Sequence, residues 1–136
     1  MGKSYWFECE KCGYRAKVAG RADEGLHLSV QTILCRDCKQ LYDAVTRIRI
    51  LDGSHVALHG MLAGVAAGGE LERPPSFDWA LNRLRYEGES ISEWRTFPLQ
   101  CPVSPNHRVR EWDNPDRCPR CGIYLERSAL AFRIWD

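Results

Sequence analysis

The sequence predicts a small α+β fold in which two antiparallel β modules, one at each end of the chain, are joined by a short helical middle segment. All seven cysteines lie in the terminal parts, and none of the 62 residues between Cys38 and Cys101 is a cysteine. At 136 residues and 15.6 kDa, the chain suffices for one ordinary domain or two very small ones. We expect the first module over residues 1–51, the connecting segment over 52–96 and the second module over 97–136.

Alternation of apolar and polar residues predicts the strands. In the first module it marks residues 14–18, 28–34 and 44–51, and a glycine-containing acidic stretch at 19–25 is typical of a loop. In the second module, residues 94–99 lead to the cysteine loop, and a pair of strands is expected at 123–125 and 130–135. Each module is therefore expected to be a small antiparallel sheet.

The middle of the chain contains two helix candidates. Apolar residues at helical spacing run through 54–69, where Ser54 can cap the start and a glycine pair ends the pattern. A second pattern runs through 76–88, with Ser76 as the cap and Gly88 as the stop. These two patterns predict the helical part of the fold.

Composition narrows the class of protein. The chain is 44% hydrophobic and 27% charged, as in soluble globular proteins, and 19 basic against 18 acidic residues leave a net charge of +1. This balance lacks the cationic excess that is typical of nucleic-acid-binding domains. The N-terminus has no apolar signal core, and the weakly polar stretch at 56–67 is shorter than the ~20 residues of a membrane span. We therefore expect a cytoplasmic protein with no membrane contact and with reduced thiols.

Four cysteines in the first module have the spacing of a metal site. The pairs Cys9-x2-Cys12 and Cys35-x2-Cys38 are separated by 22 residues, close to the double Cys-x2-Cys pattern of zinc proteins. Two facing turns of this kind form a tetrahedral sulfur cage that suits Zn²⁺ or iron. The alternative is four buried free cysteines. We expect these four residues to form one metal site with four cysteine ligands.

The second module offers three cysteines and a histidine. Cys118-Pro-Arg-Cys121-Gly122 is a typical metal-binding turn, and Cys101 begins a Pro- and Asn-rich loop that reaches His107 six residues later. We predict a site with three cysteine ligands and one histidine ligand, namely Cys101, His107, Cys118 and Cys121. In the alternative, His107 is a surface histidine, and Asp113, Asp116 or water completes the metal shell.

Both expected sites are closed by four protein ligands, which favours a structural metal, because a catalytic zinc keeps one position open. His55 and His59 share the spacing of a metalloprotease motif but lack its glutamate, so we expect them to be packed or solvated. No other catalytic arrangement stands out. The sequence therefore predicts two Zn²⁺ ions per chain, no catalytic residues and no enzymatic activity.

The cysteine motifs resemble the zinc-ribbon, or rubredoxin-like, superfamily. The resemblance rests on Cys9-Glu-Lys-Cys12-Gly13-Tyr14, on the pair at Cys35 and Cys38, and on Cys118-Pro-Arg-Cys121-Gly122. It implies metal-dependent stability and a small antiparallel sheet, but no single activity. There are two departures. Lys39 follows Cys38 where the family has glycine, and the second site has a histidine loop in place of a first Cys-x2-Cys turn. Because the pair at Cys35 and Cys38 lacks the Cys-Pro-x-Cys-Gly form, iron and an electron-transfer role are the less favoured alternative.

The expected role is that of an accessory module that binds another protein. Trp6 and Trp112 lie next to ligand loops and are candidate anchors, because aromatic residues are enriched at interfaces. The runner-up is a zinc ribbon that binds DNA or RNA, favoured by local arginines. These are Arg47, Arg49, Arg108, Arg110, Arg117 and Arg120. The acids among the last four instead favour a solvated, salt-bridged surface.

Overall fold

The computed structural model describes residues 1–51, 74–83 and 92–135. These residues form nine strands and one helix. The strands are β1 (Gly2–Glu8), β2 (Arg15–Val18), β3 (Asp23–Glu24), β4 (Leu28–Cys35), β5 (Gln40–Leu51), β6 (Ser92–Thr96), β7 (Val109–Glu111), β8 (Glu126–Arg127) and β9 (Arg133–Trp135), and the helix is α1 (Phe77–Arg83). Within the described ranges, no helix has the length and apolar character needed to span a bilayer.

Strands from both ends of the chain form the first sheet, which we call the terminal sheet. β1 lies at its centre, with β2 along one edge and β8 and β9 along the other. Every pairing is antiparallel, so Phe7 lies opposite both Ala16 and Arg127, and Gly2 lies opposite Trp135. The two ends of the described chain are therefore neighbours in one sheet.

The second sheet, which we call the central sheet, follows the order β3-β4-β5-β6, and β7 also pairs with β4. All eight residues of β4 are buried, as expected for a strand in the interior of a sheet. At its end, Cys35 lies opposite Gln40 of β5 and Val109 of β7. The C-terminal part of the chain thus also contributes a strand to this sheet.

The two sheets share a core that contains two large aromatic side chains. Phe7 of the terminal sheet meets Trp112, which follows β7, in an edge-to-face contact with the ring centroids 5.1 Å apart. Both side chains are fully buried, and the Trp112 indole N–H donates to the Arg117 carbonyl at 2.8 Å. Trp112 is therefore a core residue, and its expected role as a partner anchor was wrong.

Asp43 fastens the loop after β2 to the central sheet. Its carboxylate accepts hydrogen bonds from the Ala19 N–H at 3.1 Å and from the Thr32 hydroxyl at 2.7 Å. The Thr32 oxygen in turn accepts the Gly20 N–H at 2.8 Å. Burial raises the pKa of Asp43 to about 6, against the opposing effect of these donors. This network sets where the chain passes from one sheet to the other.

The predicted fold class was wrong. The described chain consists of two antiparallel sheets, and no helical segment joins two separate modules. Helical structure in the described residues is limited to the seven residues of α1. The reason is that strands from both ends of the chain pair with each other, β1 with β8 and β9 and β4 with β7, so each sheet contains strands from both ends.

Several predicted elements agree with the structure. The alternating stretches at 14–18, 28–34 and 44–51 correspond to β2, β4 and the second part of β5. Of the two strands expected near the C-terminus, the one at 130–135 is present in part as β9, whereas 123–125 contains only an isolated bridge at Tyr124 and precedes β8. Both β8 and β9 pair with β1 and not with each other. Helix α1 begins directly after Ser76, the predicted cap. The candidate helix at 54–69 lies outside the described residues.

Gly20 provides a test of the contact between the loop after β2 and the core. Its φ is +84°, and an added Cβ would collide with the Phe7 ring. We expect Gly20→Ala to lower the free energy of unfolding by about 3 kcal/mol, combining backbone strain with overpacking. Gly13→Ala, at φ +78° with nothing within 4 Å of the added Cβ, should cost only about 1 kcal/mol. Urea titration of both variants measures the difference, and equal losses would contradict the packing.

Candidate metal centres

Four cysteines from the two ends of the chain meet in a cluster that we call the all-cysteine cluster. Its members are Cys9, Cys12, Cys118 and Cys121, and their sulfur atoms all lie within 4.8 Å of one another. The Cys9 and Cys121 sulfurs are 3.2 Å apart, and those of Cys12 and Cys118 are 3.6 Å apart. Zn–S bonds of about 2.3 Å place tetrahedral sulfurs about 3.8 Å apart, whereas a disulfide needs about 2.05 Å. The spacing fits a metal cage and not a bridge.

The two loops of the all-cysteine cluster have the same backbone structure. In the first, the Cys9 N–H donates to the Tyr14 carbonyl at 2.8 Å, and the Gly13 N–H donates to the Cys9 carbonyl at 3.0 Å. In the second, the Cys118 N–H donates to the Ile123 carbonyl at 2.6 Å, and the following glycine donates to the Cys118 carbonyl at 3.1 Å. Both glycines have positive φ, +78° and +83°. Each loop thus turns back on itself directly after its second sulfur.

Backbone N–H groups point at the first sulfur of each loop. The Cys12 N–H lies 3.4 Å from the Cys9 sulfur, and the Arg120 N–H lies 3.4 Å from the Cys118 sulfur. Chiefly through the Cys12 N–H, the pKa of Cys9 falls to about 6. At Cys121 a backbone N–H acts in the same direction, but the neighbouring Cys9 thiol and burial raise its pKa to about 12. Cys121 therefore holds a proton that a bound cation would displace.

The second cluster, which we call the cysteine–histidine cluster, contains Cys35, Cys38, Cys101 and His107, with their ligand atoms within 4.8 Å of one another. The His107 Nδ1 lies 3.4 Å from the Cys38 sulfur and 3.7 Å from the Cys35 sulfur. The Cys38 and Cys101 sulfurs are 3.7 Å apart. Tetrahedral zinc with S and N ligands requires separations of about 3.5–3.8 Å, so this cluster also fits.

The loop between β4 and β5 supplies the first pair of this cluster. Cys35 is the last residue of β4, and its carbonyl accepts the Lys39 N–H at 2.9 Å. The Cys38 N–H lies 3.3 Å from the Cys35 sulfur, which repeats the N–H···S contact of the all-cysteine cluster. Lys39 occupies the position of the glycine in the other two loops, and it does so with a φ of 55°. Burial raises the pKa of Cys35 to about 11.

The longer loop from Cys101 to His107 supplies the other pair. The His107 N–H donates to the Ser104 carbonyl at 3.2 Å, and the Val103 N–H lies 3.4 Å from the Cys101 sulfur. Burial opposes ionisation of Cys101, but the N–H groups of Ser104 and Val103 lower its pKa to about 7. Arg108, which follows His107, fixes this loop to the loop of Cys35 and Cys38, because its backbone N–H donates to the Asp37 carboxylate at 2.8 Å.

The eight predicted ligands all lie in the two clusters, but the predicted grouping was wrong. The predicted grouping places the pairs at Cys9 and Cys35 in one site, and Cys101 and His107 with the pair at Cys118 in the other. In the structure the pair at Cys9 meets the pair at Cys118, and the pair at Cys35 meets Cys101 and His107. The physical reason is that β1 pairs with β8, and β4 with β7, so each cluster draws on both ends.

The alternative ligands have other partners. Asp116 forms a double ion pair with Arg110, at 2.8 and 3.1 Å, which lowers the pKa of this carboxyl. Asp113 accepts a hydrogen bond from the Gln31 side chain at 3.1 Å. Neither carboxylate is therefore needed to complete a metal shell.

One signal in the sequence does indicate the observed grouping. The pairs at Cys9 and Cys118 are both followed by glycine and an apolar residue, whereas the pair at Cys35 is followed by Lys39. The two loops of the same form are those that meet in the all-cysteine cluster.

No protein-family model, curated protein or solved structure matches this chain. The resemblance to zinc ribbons therefore rests on the ligand motifs and on the geometry of the two clusters, which are compatible with such a module.

Lys39 offers a test of the backbone geometry in the cysteine–histidine cluster. A non-glycine residue at φ 55° carries a steric penalty that glycine avoids, and the Lys39 side chain is exposed. We expect Lys39→Gly to raise the free energy of unfolding of the metal-loaded protein by about 0.5–1 kcal/mol.

Lys11→Gly is the matched control, because Lys11 is also an exposed lysine in a cysteine loop but has no positive φ. This change should lower stability or leave it unchanged. Urea unfolding at constant free metal measures both variants. An equal loss of stability in the two would show that the Lys39 conformation costs nothing.

Proposed function

We propose that each cluster binds one Zn²⁺ ion and that the two ions hold the fold together. The observation that supports this is the approach of four ligand atoms to within 4.8 Å in each cluster, at distances that suit tetrahedral coordination. Thiolate and imidazole donors are those that zinc prefers. Four protein donors fill each coordination shell, so the ions are structural and the protein is not a zinc enzyme.

The same geometry explains why metal would be needed. Each cluster connects a loop near the N-terminus with one near the C-terminus, and the C-terminal strands β7, β8 and β9 pair with β4 and β1 over only two or three residue pairs each. Such short strands provide few cooperative hydrogen bonds. Structural Zn²⁺ contributes on the order of 10–16 kcal/mol of apparent binding free energy in zinc-finger peptides. Removal of the ions by a chelator should therefore unfold the protein.

Metal counting in variants tests the sites and their grouping. With a competing chelator present, we expect two Zn²⁺ per chain in the wild type and one in His107→Ala or in Cys118→Ser. The double variant should hold none, because His107 and Cys118 belong to different clusters. Asn106→Ala, an exposed neighbour in the same loop as His107, is the control and should retain both ions. A double variant that retains one ion would contradict the observed grouping.

The all-cysteine cluster supports a second candidate, an iron-binding electron carrier. The sequence argument against iron was that the pair at Cys35 lacks the following glycine, but this pair is not part of the all-cysteine cluster. Both loops of the all-cysteine cluster have the Cys-x2-Cys-Gly form, and backbone N–H groups are directed at the sulfurs of Cys9 and Cys118. A sulfur cage of this kind accepts iron as well as zinc.

The colour and metal content of the purified protein decide between the two candidates. We expect a colourless protein with two zinc ions. A red protein that contains one iron, retains its colour in His107→Ala and loses it in Cys118→Ser would instead support the electron carrier.

We further propose that the protein acts as an interaction module and that its contact surface lies on the outer face of the terminal sheet. Three apolar side chains of the C-terminal segment alternate along this surface. Leu130 is 83% exposed, Phe132 44% and Ile134 60%, and Ile134 lies opposite exposed Lys3 of β1. Contiguous apolar groups of this kind are typical of interaction sites.

Two cations lie over the aromatic rings of the same face. Arg15 is 4.2 Å and Lys17 is 4.6 Å from the centre of the Trp6 ring. Lys17 is also 4.3 Å from the centre of the Phe132 ring, and the two rings meet edge to face at 5.8 Å. Trp and Arg are enriched at the energetic centres of protein interfaces. We refer to these residues together with Leu130 and Ile134 as the cation–aromatic face. It suits a protein surface that combines carboxylates with an apolar anchor.

Carboxylates at the other end of the same strands favour a protein over a nucleic acid. Glu10, with Glu8, raises the pKa of Glu126 through charge repulsion, so negative charge is concentrated there. A phosphate backbone that followed the sheet would meet this charge. Zinc with four thiolates adds a charge of −2 nearby. The local arginines include Arg110, which is paired with Asp116.

Reversing the chemistry of this face should abolish partner binding. We expect Lys17→Glu combined with Ile134→Asp to reduce retention of partner proteins by about tenfold or more in affinity capture with quantitative mass spectrometry. Lys11→Glu combined with Leu26→Asp changes an equally exposed cation and apolar residue elsewhere and should retain them.

Nucleic-acid binding is the outcome that would reverse this proposal. Binding of DNA or RNA should be weak at about 100 mM salt, because few phosphates can be neutralised. Tight, steeply salt-dependent binding to either nucleic acid would support the nucleic-acid-binding alternative instead.

A further inference from the structure

The ligands of the two clusters are nested along the chain. The all-cysteine cluster joins Cys12 to Cys118 over 106 positions, and the cysteine–histidine cluster joins Cys38 to Cys101 over 63 positions within that interval. An ion in the inner cluster removes those 63 positions from the outer loop and leaves about 43. Because the probability of closing a loop falls as the 3/2 power of its length, this shortening favours closure of the outer cluster by about fourfold.

Tyr14 connects the two clusters in the folded protein. It lies two residues after Cys12, and its carbonyl closes the first loop of the all-cysteine cluster. Its hydroxyl oxygen accepts the backbone N–H of Leu41 at 2.8 Å in a buried hydrogen bond. Leu41 lies three residues after Cys38 in the cysteine–histidine cluster. This hydrogen bond fixes the first loop of the all-cysteine cluster against β5, the strand that follows Cys38.

Arg120 makes a second connection next to the first. Its backbone N–H points at the Cys118 sulfur of the all-cysteine cluster. Its guanidinium lies 4.7 Å from the centre of the Tyr14 ring, and its Nε donates to the Lys39 carbonyl at 3.4 Å. Lys39 directly follows Cys38. The Arg120 side chain thus contacts a residue that follows Cys12 in one cluster and a residue that follows Cys38 in the other.

We propose that Tyr14 and Arg120 are positioning residues that couple the two clusters, so that a metal ion bound in one raises the affinity of the other. The inference rests on the proposed function and adds to it a dependence between the ions. Each ion orders its own pair of loops, and Tyr14 and Arg120 transmit that order, because their hydrogen-bond partners Leu41 and Lys39 follow the Cys38 loop of the other cluster. By linkage, the effect is the same in both directions.

The expected size of the coupling combines two effects. Nesting contributes about fourfold. A buried hydrogen bond and a stacked guanidinium together contribute about tenfold more. The affinity for the second ion is then about fortyfold higher than for the first. If the two sites have equal intrinsic affinities, about one seventh of the chains carry a single ion at half-saturation, whereas independent sites would give one half.

Native mass spectrometry of the apoprotein, titrated with Zn²⁺ in a metal buffer, counts chains with no, one and two ions. We expect about one seventh of the wild-type chains to carry one ion at half-saturation. In the variant with both Tyr14→Phe and Arg120→Gln, this fraction should rise to about one third, the value expected for nesting alone. A merely structural role would shift the zinc concentration at half-saturation without changing this fraction.

Tyr124→Phe combined with Arg117→Gln is the matched control. Arg117 lies 5.0 Å from the centre of the Tyr124 ring and flanks the same cysteine loop, but Tyr124 is exposed and Arg117 donates to Gly122 within that loop. The control should show the wild-type fraction. A wild-type fraction of one half or more, or an unchanged fraction in the Tyr14 and Arg120 variant, would overturn the coupling. Absence of any bound zinc would instead overturn the proposed function.

Discussion

The structure depends on the close approach of cysteine and histidine side chains from opposite ends of the chain. Each cluster takes two ligands from the first 38 residues and two from beyond residue 100. Ligand atoms that must approach to within 4.8 Å leave little freedom for the strands that hold them. The pairing of β1 with β8 and of β4 with β7 is compatible with this approach, because these strands lead into or out of the cysteine and histidine loops.

The hydrophobic core supports the same arrangement. Phe7 and Trp112 meet between the sheets, and each lies within a few residues of a ligand loop, near Cys9 and His107 respectively. The hydrogen bond from the Trp112 indole fixes the chain just before the cysteine loop at 118–121. Metal ligands and apolar contacts therefore constrain the same segments. Trp6, Phe132 and the cations above their rings lie outside this core, on the outer face of the terminal sheet.

The sequence predicted the members of the two clusters, taken together, because each cysteine loop is a local structure. The Cys-x2-Cys spacing, followed by glycine or by another residue that adopts a positive φ, determines a turn that directs two sulfurs to one side. It does not determine which turns meet, because that depends on strand pairing over a hundred residues. The strands at β2, β4 and β5 were predictable from alternation, whereas β8, with two residues, is too short to show a period.

Two other differences have similar causes. Trp112 lies between two acidic residues, Glu111 and Asp113, so nothing in the sequence indicated that it is fully buried. Its burial follows from β7, which brings it against Phe7. The lysine behind Cys38 counted as a departure from the family pattern, but it adopts the backbone conformation of the glycine it replaces. The residue type at this position thus differs from the family pattern, whereas the backbone conformation is retained.

The nested order of the ligands has a consequence during synthesis on the ribosome. The first four cysteines emerge while their true partners are still untranslated, and the only complete tetrad then present is Cys9, Cys12, Cys35 and Cys38. This tetrad is chemically competent to capture an ion. With zinc bound as proposed, the nascent polypeptide would either remain metal-free until Cys118 and Cys121 appear or exchange ligands afterwards, so that the supply of zinc would influence how fast the mature protein forms.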